Sequence, residues 1–142
     1  GTINDLDYCL STLGKSDRGC ALNSQRIGRR LHSSKTFYSW MLNFGVQPPH
    51  LPTIYKTQFY GTIEYDLSIP IIADFHFYYE NLQTFNYIKT NKPLIQMEAG
   101  GLTSSGLSSF FRVSKEFINT YGIKGYIMSL FRAPFKILQS II

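Results

Sequence analysis

A chain of 142 residues, 44% hydrophobic and 16% charged, can bury a core, as one domain or as two small ones sharing it. A net charge of +5 and a pI near 9.3 favour polyanions or anionic surfaces as partners. Cys9 and Cys20, with no CxxC, exclude a zinc site of familiar spacing and a disulfide framework, and are expected as small buried side chains.

In chain order, the spacing of Ile3, Leu6, Leu10 and Leu13 predicts a helix over 2–13, capped by Thr2 and stopped by Gly14. The polar loop "KSDRG" leads to "CALN", a short strand. Ser24 is expected to cap a second helix running to about Asn43, with Ile27, Leu31, Phe37, Tyr38 and Met41 inward. Gly45 ends that helix, and "QPPHLP" is a proline-stiffened connector. From Thr53 the period changes to two, so "TIYKTQFYG", "TIEYDLSI" and "ADFHFYYEN" read as a meander, with Phe75, Phe77 and Tyr79 on one face.

"NLQTFNYIKTNKP" reads as a polar connection and "LIQMEA" as a strand. After the serine-rich turn of "TSSGLSSFFRVSKEF", the segment "SSFFRV" is expected as a strand. "SKEFINTYG" is expected as a short helix capped by Ser114 and closed by Gly122, and "GYIMSLF" and "FKILQSII" as the last strands. The fold class is therefore α+β: an N-terminal α-β-α-β-β subdomain over 1–85, then a β-rich C-terminal subdomain over 92–142 with one short helix.

Charge is uneven along the chain. Residues 1–36 hold six Lys/Arg against three Asp, 37–111 are mildly acidic, and 112–142 hold five Lys/Arg against Glu116 alone. On the expected second helix, Arg26, Arg29 and Arg30 form an i, i+3, i+4 stripe. Toward the C-terminus, Arg112, Lys115, Lys124, Arg132 and Lys136 are interleaved with Ser, Gly and aromatics, a pattern suited to phosphate and sugar.

Catalytic signals are absent from the sequence: no Walker A pattern, no GxGxxG after a strand, no GxSxG and no HExxH. His32, His50 and His76 are scattered, and no catalytic, metal or cofactor residue is assigned. No apolar run reaches the length of a bilayer span; the tail "YIMSLFRAPFKILQSII" is interrupted by Arg132, Pro134 and Lys136. "RRLHSS" has the look of an import signal but falls within the expected second helix. The chain opens on Gly1, so a true leader would lie outside it.

The run "SSGLSSFFRVSKEFINTYGIKGYIMS" resembles the C-terminal half of protein eight of the bacterial-type small ribosomal subunit. Ser104-Ser105-Gly106 stands where that family has its Lys-Pro-Gly turn, Glu116 opens the short helix, and Gly122 and Gly125 follow at the family's spacing. "INDLDYCLSTL", "FGVQ" and "FHFYYEN" are similar to its N-terminal half. The departures are Ser-Ser for Lys-Pro, a longer second helix, and "SLFRAP" for the family's RNA-contacting loop, where Ser129 alone keeps rough register.

The resemblance implies a divergent mitochondrial member that binds ribosomal RNA and supports small-subunit assembly and translation in the mitochondrial matrix. The 15% aromatic content, with 10 Tyr and 11 Phe, suits an AT-rich organellar genome. Its RNA-binding residues would be Ser104, Ser105, Arg112, Lys115, Lys124, Ser129 and Arg132, with Arg26, Arg29 and Arg30 as secondary phosphate contacts. The implied partners are small-subunit ribosomal RNA and neighbouring ribosomal proteins, with no membrane, cofactor or small-molecule substrate. Two alternatives stand beside it. One is a non-catalytic accessory subunit of a respiratory or import complex, packing through its aromatic segments and apolar tail. The other is a degenerate homing endonuclease, to which "RLHSSKTFYSWMLNFGV" is similar, although no acidic metal-binding motif sits at a helix end.

Overall fold

The computed structural model describes residues 3–16, 18–27, 30–60, 64–82, 86–97 and 106–141. One central strand organises them. β1 (Cys20–Ile27) is buried from Cys20 to Gln25 and is paired along both edges. β4 (Tyr87–Met97) runs parallel along one edge, from Cys20↔Tyr87 to Ile27↔Met97. The other edge is shared end to end by two antiparallel partners, β2 (Arg30–His32) at Gln25–Ile27 and β3 (Ile54–Tyr55) at Cys20–Ala21. The register along β4 shifts around Pro93, which suits an outer strand, because proline has no N–H to give a ladder.

Alternate β1 side chains serve opposite faces. On one face, Asn23 anchors α1 (Ile3–Gly14). The Cys9 thiol donates to Asn23 Oδ1 at 3.0 Å, the Thr90 hydroxyl donates to the same oxygen, and the Asn23 amide donates to the Pro52 carbonyl at 2.6 Å. Lys92 pairs with Asp5 of α1 at 3.1 Å. On the other face, Cys20 and Leu22 join a core with Phe37, Leu42, Phe75, Tyr78, Phe117 and Met128. Its walls are a 3₁₀ helix (Ser39–Phe44), α3 (Ala73–Asn81), α4 (Gly106–Tyr121) and α5 (Ile123–Ile141); α2 (Thr57–Tyr60) is a single turn. The fold is thus mixed helix and sheet, and its core takes residues from both halves of the chain; the expected polar connection "NLQTFNYIKTNKP" is strand β4 from Tyr87 onward, because it pairs with the buried β1.

The first helix, its stop at Gly14, the "CALN" strand, the "LIQMEA" strand and the two buried thiols agree with expectation. The second helix does not form. Its first half is β1 and β2, because a strand buried on both faces loses the alternation that would mark it. Ser24 caps nothing; its hydroxyl accepts the Ser34 N–H at 3.1 Å and ties β1 to the chain leaving β2. Only the end survives, as the 3₁₀ helix closed by Gly45.

Gly45 sits at φ 74°, and a Cβ there would lie 2.8 Å from the Met128 carbonyl. Gly45→Ala is expected to cost about 2 kcal/mol, combining left-handed strain with that close approach; chemical denaturation measures it.

The expected meander reduces to β3. "ADFHFYYEN" is α3, and its aromatics face several ways: Phe75 lies against Phe117 at 4.7 Å and Phe77 stacks on Tyr65 at 5.0 Å. A helix buried around its circumference carries no clean helical moment, so its aromatics mimic strand alternation. Its cap comes from a distant element. Glu116 of α4 accepts the N–H groups of Ile71 (3.0 Å) and Ile72 (2.9 Å), placing an anion at the donor-rich start of α3. Glu116→Gln keeps an acceptor and removes the charge, so a loss of about 1 kcal/mol is expected in thermal unfolding.

The largest correction is at the C-terminus. The expected strands "SSFFRV", "GYIMSLF" and "FKILQSII" belong to α4 and α5, so the segment from Gly106 onward is a helical hairpin and the β-rich C-terminal subdomain is absent from it. Gly122, at φ 59°, closes α4 as its sequence context predicted, its N–H reaching the Ile118 carbonyl at 2.8 Å. The helices touch at Gly125, where an added Cβ would overlap the Phe117 carbonyl.

Candidate functional site

The cations expected to meet RNA divide into an inward and an outward set. Ser104, Ser105 and Arg29 lie outside the described residues. Arg26 is exposed on β1 opposite Leu31, and the Arg30 backbone opens β2 opposite Ile27, so the helical stripe of three arginines does not exist. Ser129 is buried; its hydroxyl donates to the Gly125 carbonyl at 2.9 Å and so serves the helix. Arg132 is partly buried with its guanidinium 5.7 Å from the Phe117 ring centroid, and desolvation lowers its pKa. Arg132 over Phe117, and the Ser129 hydroxyl 3.5 Å from the Ser114 carbonyl, therefore join α5 to α4. Arg112, Lys115 and Lys124 are exposed on it.

The hairpin also presents an apolar surface that residue types alone did not reveal. At 100° per residue, Ile123, Tyr126, Ile127 and Leu130 of α5 share one side, opposite Met128 and Phe135, which face the molecule. Ile123 is 83% exposed and Leu130 56%. On α4, Leu107, Phe111 and Ile118 share the side turned from the buried Val113; Phe111 is 67% exposed. The signal was present as i, i+3, i+4 spacing in "IKGYIMSLF", but the same run also reads as a buried strand. Glu116, the one acid of this segment, is turned to α3, so the exposed charged side chains described on this hairpin are Arg112, Lys115 and Lys124.

Other candidate features are elsewhere. A groove of about 410 Å³ between α1 and the outer strand is lined by Ile3, Leu6, Leu51, Pro52, Leu94 and their neighbours and is almost wholly apolar. His50 Nε2 stands 3.3 Å from Asp74, and His76 Nδ1 is 2.6 Å from the Tyr121 hydroxyl. Lys89 Nζ lies 3.8 Å over the Tyr38 ring and donates to the Lys35 carbonyl. Among the described residues no three His, Cys, Asp or Glu gather as a metal site, and no helix is long and apolar enough to cross a membrane.

Burial pushes the Cys20 thiol up to about 12. It also raises the Tyr55, Tyr78 and Tyr121 hydroxyls. These acids hold their protons more tightly folded than unfolded, so their contribution is complete below pH 9 and is lost as pH rises toward 12. Melting temperature is expected to fall steeply over that interval, and a thiol reagent at pH 8 should modify neither cysteine until the chain unfolds.

No protein-family model, no curated protein and no solved structure matches this chain.

Proposed function

We propose that this protein is a non-catalytic architectural component of an organellar assembly, held in place by the outward face of its α4–α5 hairpin. The observation that carries the reading is the make-up of that face. It combines exposed Leu, Phe, Ile and Tyr side chains with a rim of exposed cations. Monomeric soluble proteins rarely leave an apolar patch of this kind uncovered. This is the accessory-subunit reading of the sequence, with the packing surface supplied by helices in place of strands.

The test is the double variant Tyr126→Glu, Leu130→Glu, which places charge at two exposed positions. On a density gradient of organelle extract, the wild-type chain is expected in a heavy or membrane fraction and the variant at the top. Equal migration of the two forms contradicts the reading.

A second reading is the ribosomal one, a divergent mitochondrial relative of small-subunit protein eight bound to ribosomal RNA. Exposed Arg112, Lys115 and Lys124 support it, as does the net charge of +5. Against it, the family-like run that suggested it lies in helices where strands were expected. It requires co-sedimentation with small-subunit RNA that collapses as salt rises; apolar packing lacks that salt dependence. The homing-endonuclease alternative requires nicking of plasmid DNA in magnesium.

A further inference from the structure

We infer that the α4–α5 hairpin docks on an anionic lipid surface, lying in the headgroup layer without crossing it. This rests on the proposed role of the hairpin face and names its partner; the sequence reading included no membrane. Interfacial helices pair an apolar side of Leu, Ile, Phe and aromatic residues with Lys/Arg around it. Here Leu107, Phe111 and Ile118 of α4 and Ile123, Tyr126 and Leu130 of α5 make up the apolar side. Arg112, Lys115 and Lys124 are exposed beside it, and Glu116 is engaged at the start of α3. The ionised groups left to the surface on this hairpin are therefore positive, complementary to phosphate headgroups.

Depth follows from two further observations. α5 has 19 residues but no window apolar enough to span a bilayer. Pro134 lies inside α5 and removes the N–H that would bond the Leu130 carbonyl. A helix with a missing backbone bond on its outward side is tolerated in the hydrated headgroup layer and is costly in hydrocarbon. A nucleic acid would engage the cations but leave the apolar side in water. An acidic protein would satisfy the charges, but the apolar groove beside α1 that could anchor a protein hot spot is lined by no residue of this hairpin.

The experiment is flotation of the purified full chain with vesicles of phosphatidylcholine alone or phosphatidylcholine mixed with phosphatidylglycerol. The wild-type chain is expected to float with the mixed vesicles and stay behind with the neutral ones. Arg112→Gln, Lys115→Gln, Lys124→Gln together should weaken partitioning roughly 100-fold, about fivefold per cation. Tyr126→Glu, Leu130→Glu should abolish it with the cations intact. Circular dichroism and Trp40 emission, from the sole tryptophan, establish that both variants remain folded.

Failure of the wild type to float with either vesicle overturns the lipid inference, as does flotation of folded Tyr126→Glu, Leu130→Glu at the wild-type level. So does binding to small-subunit RNA that the cation variant loses while the face variant keeps it. If the chain does not float and the face variant still drops out of its assembly on the gradient, the docking role stands and its partner is a protein.

Discussion

Gly125→Val is expected to detach α5 from α4 and lower stability by about 3 kcal/mol. The added Cβ would overlap the Phe117 carbonyl and lie 2.8 Å from the Ile118 nitrogen. Both are backbone atoms of a packed helix, so no flexible side chain can swing aside. The helices must separate, at the upper end of the usual cost of overpacking. Displacing α5 also disturbs its contacts with the 3₁₀ helix, those of Phe44 with Phe131 (5.5 Å) and of Trp40 with Phe135 (5.9 Å). Urea unfolding should therefore show a lower midpoint, and Trp40 emission in the folded state should shift to the red. An unchanged midpoint would mean the helices do not cross at Gly125.

Asn23→Ala is expected to cost about 3 kcal/mol by a different route. Asn23 is fully buried, its Oδ1 takes the Cys9 thiol and the Thr90 hydroxyl, and its amide serves the Pro52 carbonyl. Truncation leaves several buried polar groups without partners and opens a small cavity. Because the same atoms hold α1, β4 and the 52–53 turn on β1, Thr90→Val should add little in the Asn23→Ala background: its hydroxyl has already lost its acceptor. Additive single and double mutants, measured by equilibrium denaturation, would show that the network is not shared.

What the sequence could and could not disclose follows from where each element finds its partners. α1 was legible because its spacing, Asp5 and Gly14 are all local. Gly45 and Gly122 were legible as stops because left-handed glycine is a local requirement. The second half of β1, Ser24–Ile27, was read as helix because its strand identity depends on the antiparallel β2 and on the parallel β4 about 70 residues later, neither visible in "SQRI". α3 was misread because its cap, Glu116, comes from α4.

The hairpin misled for another reason. "SSFFRV" and "GYIMSLF" are rich in aromatic and apolar residues, which strands favour, and α5 is apolar on both its inner and outer sides. The expected site fared accordingly. Lysines and arginines at exposed helix positions, Arg112, Lys115 and Lys124, kept their surface role. Ser129 and Arg132 were drawn inward by a helix crossing that only the three-dimensional arrangement reveals.

The most direct test of the account is whether the outward side of α5 is covered where the protein works. Cys9 and Cys20 are buried, so Leu130→Cys places the only readily accessible thiol on that side. The purified chain should label rapidly with a thiol reagent, and the same chain in intact cells should be protected until the proposed assembly is dispersed. Equal labelling in both settings would contradict the claim that this hairpin is a docking surface.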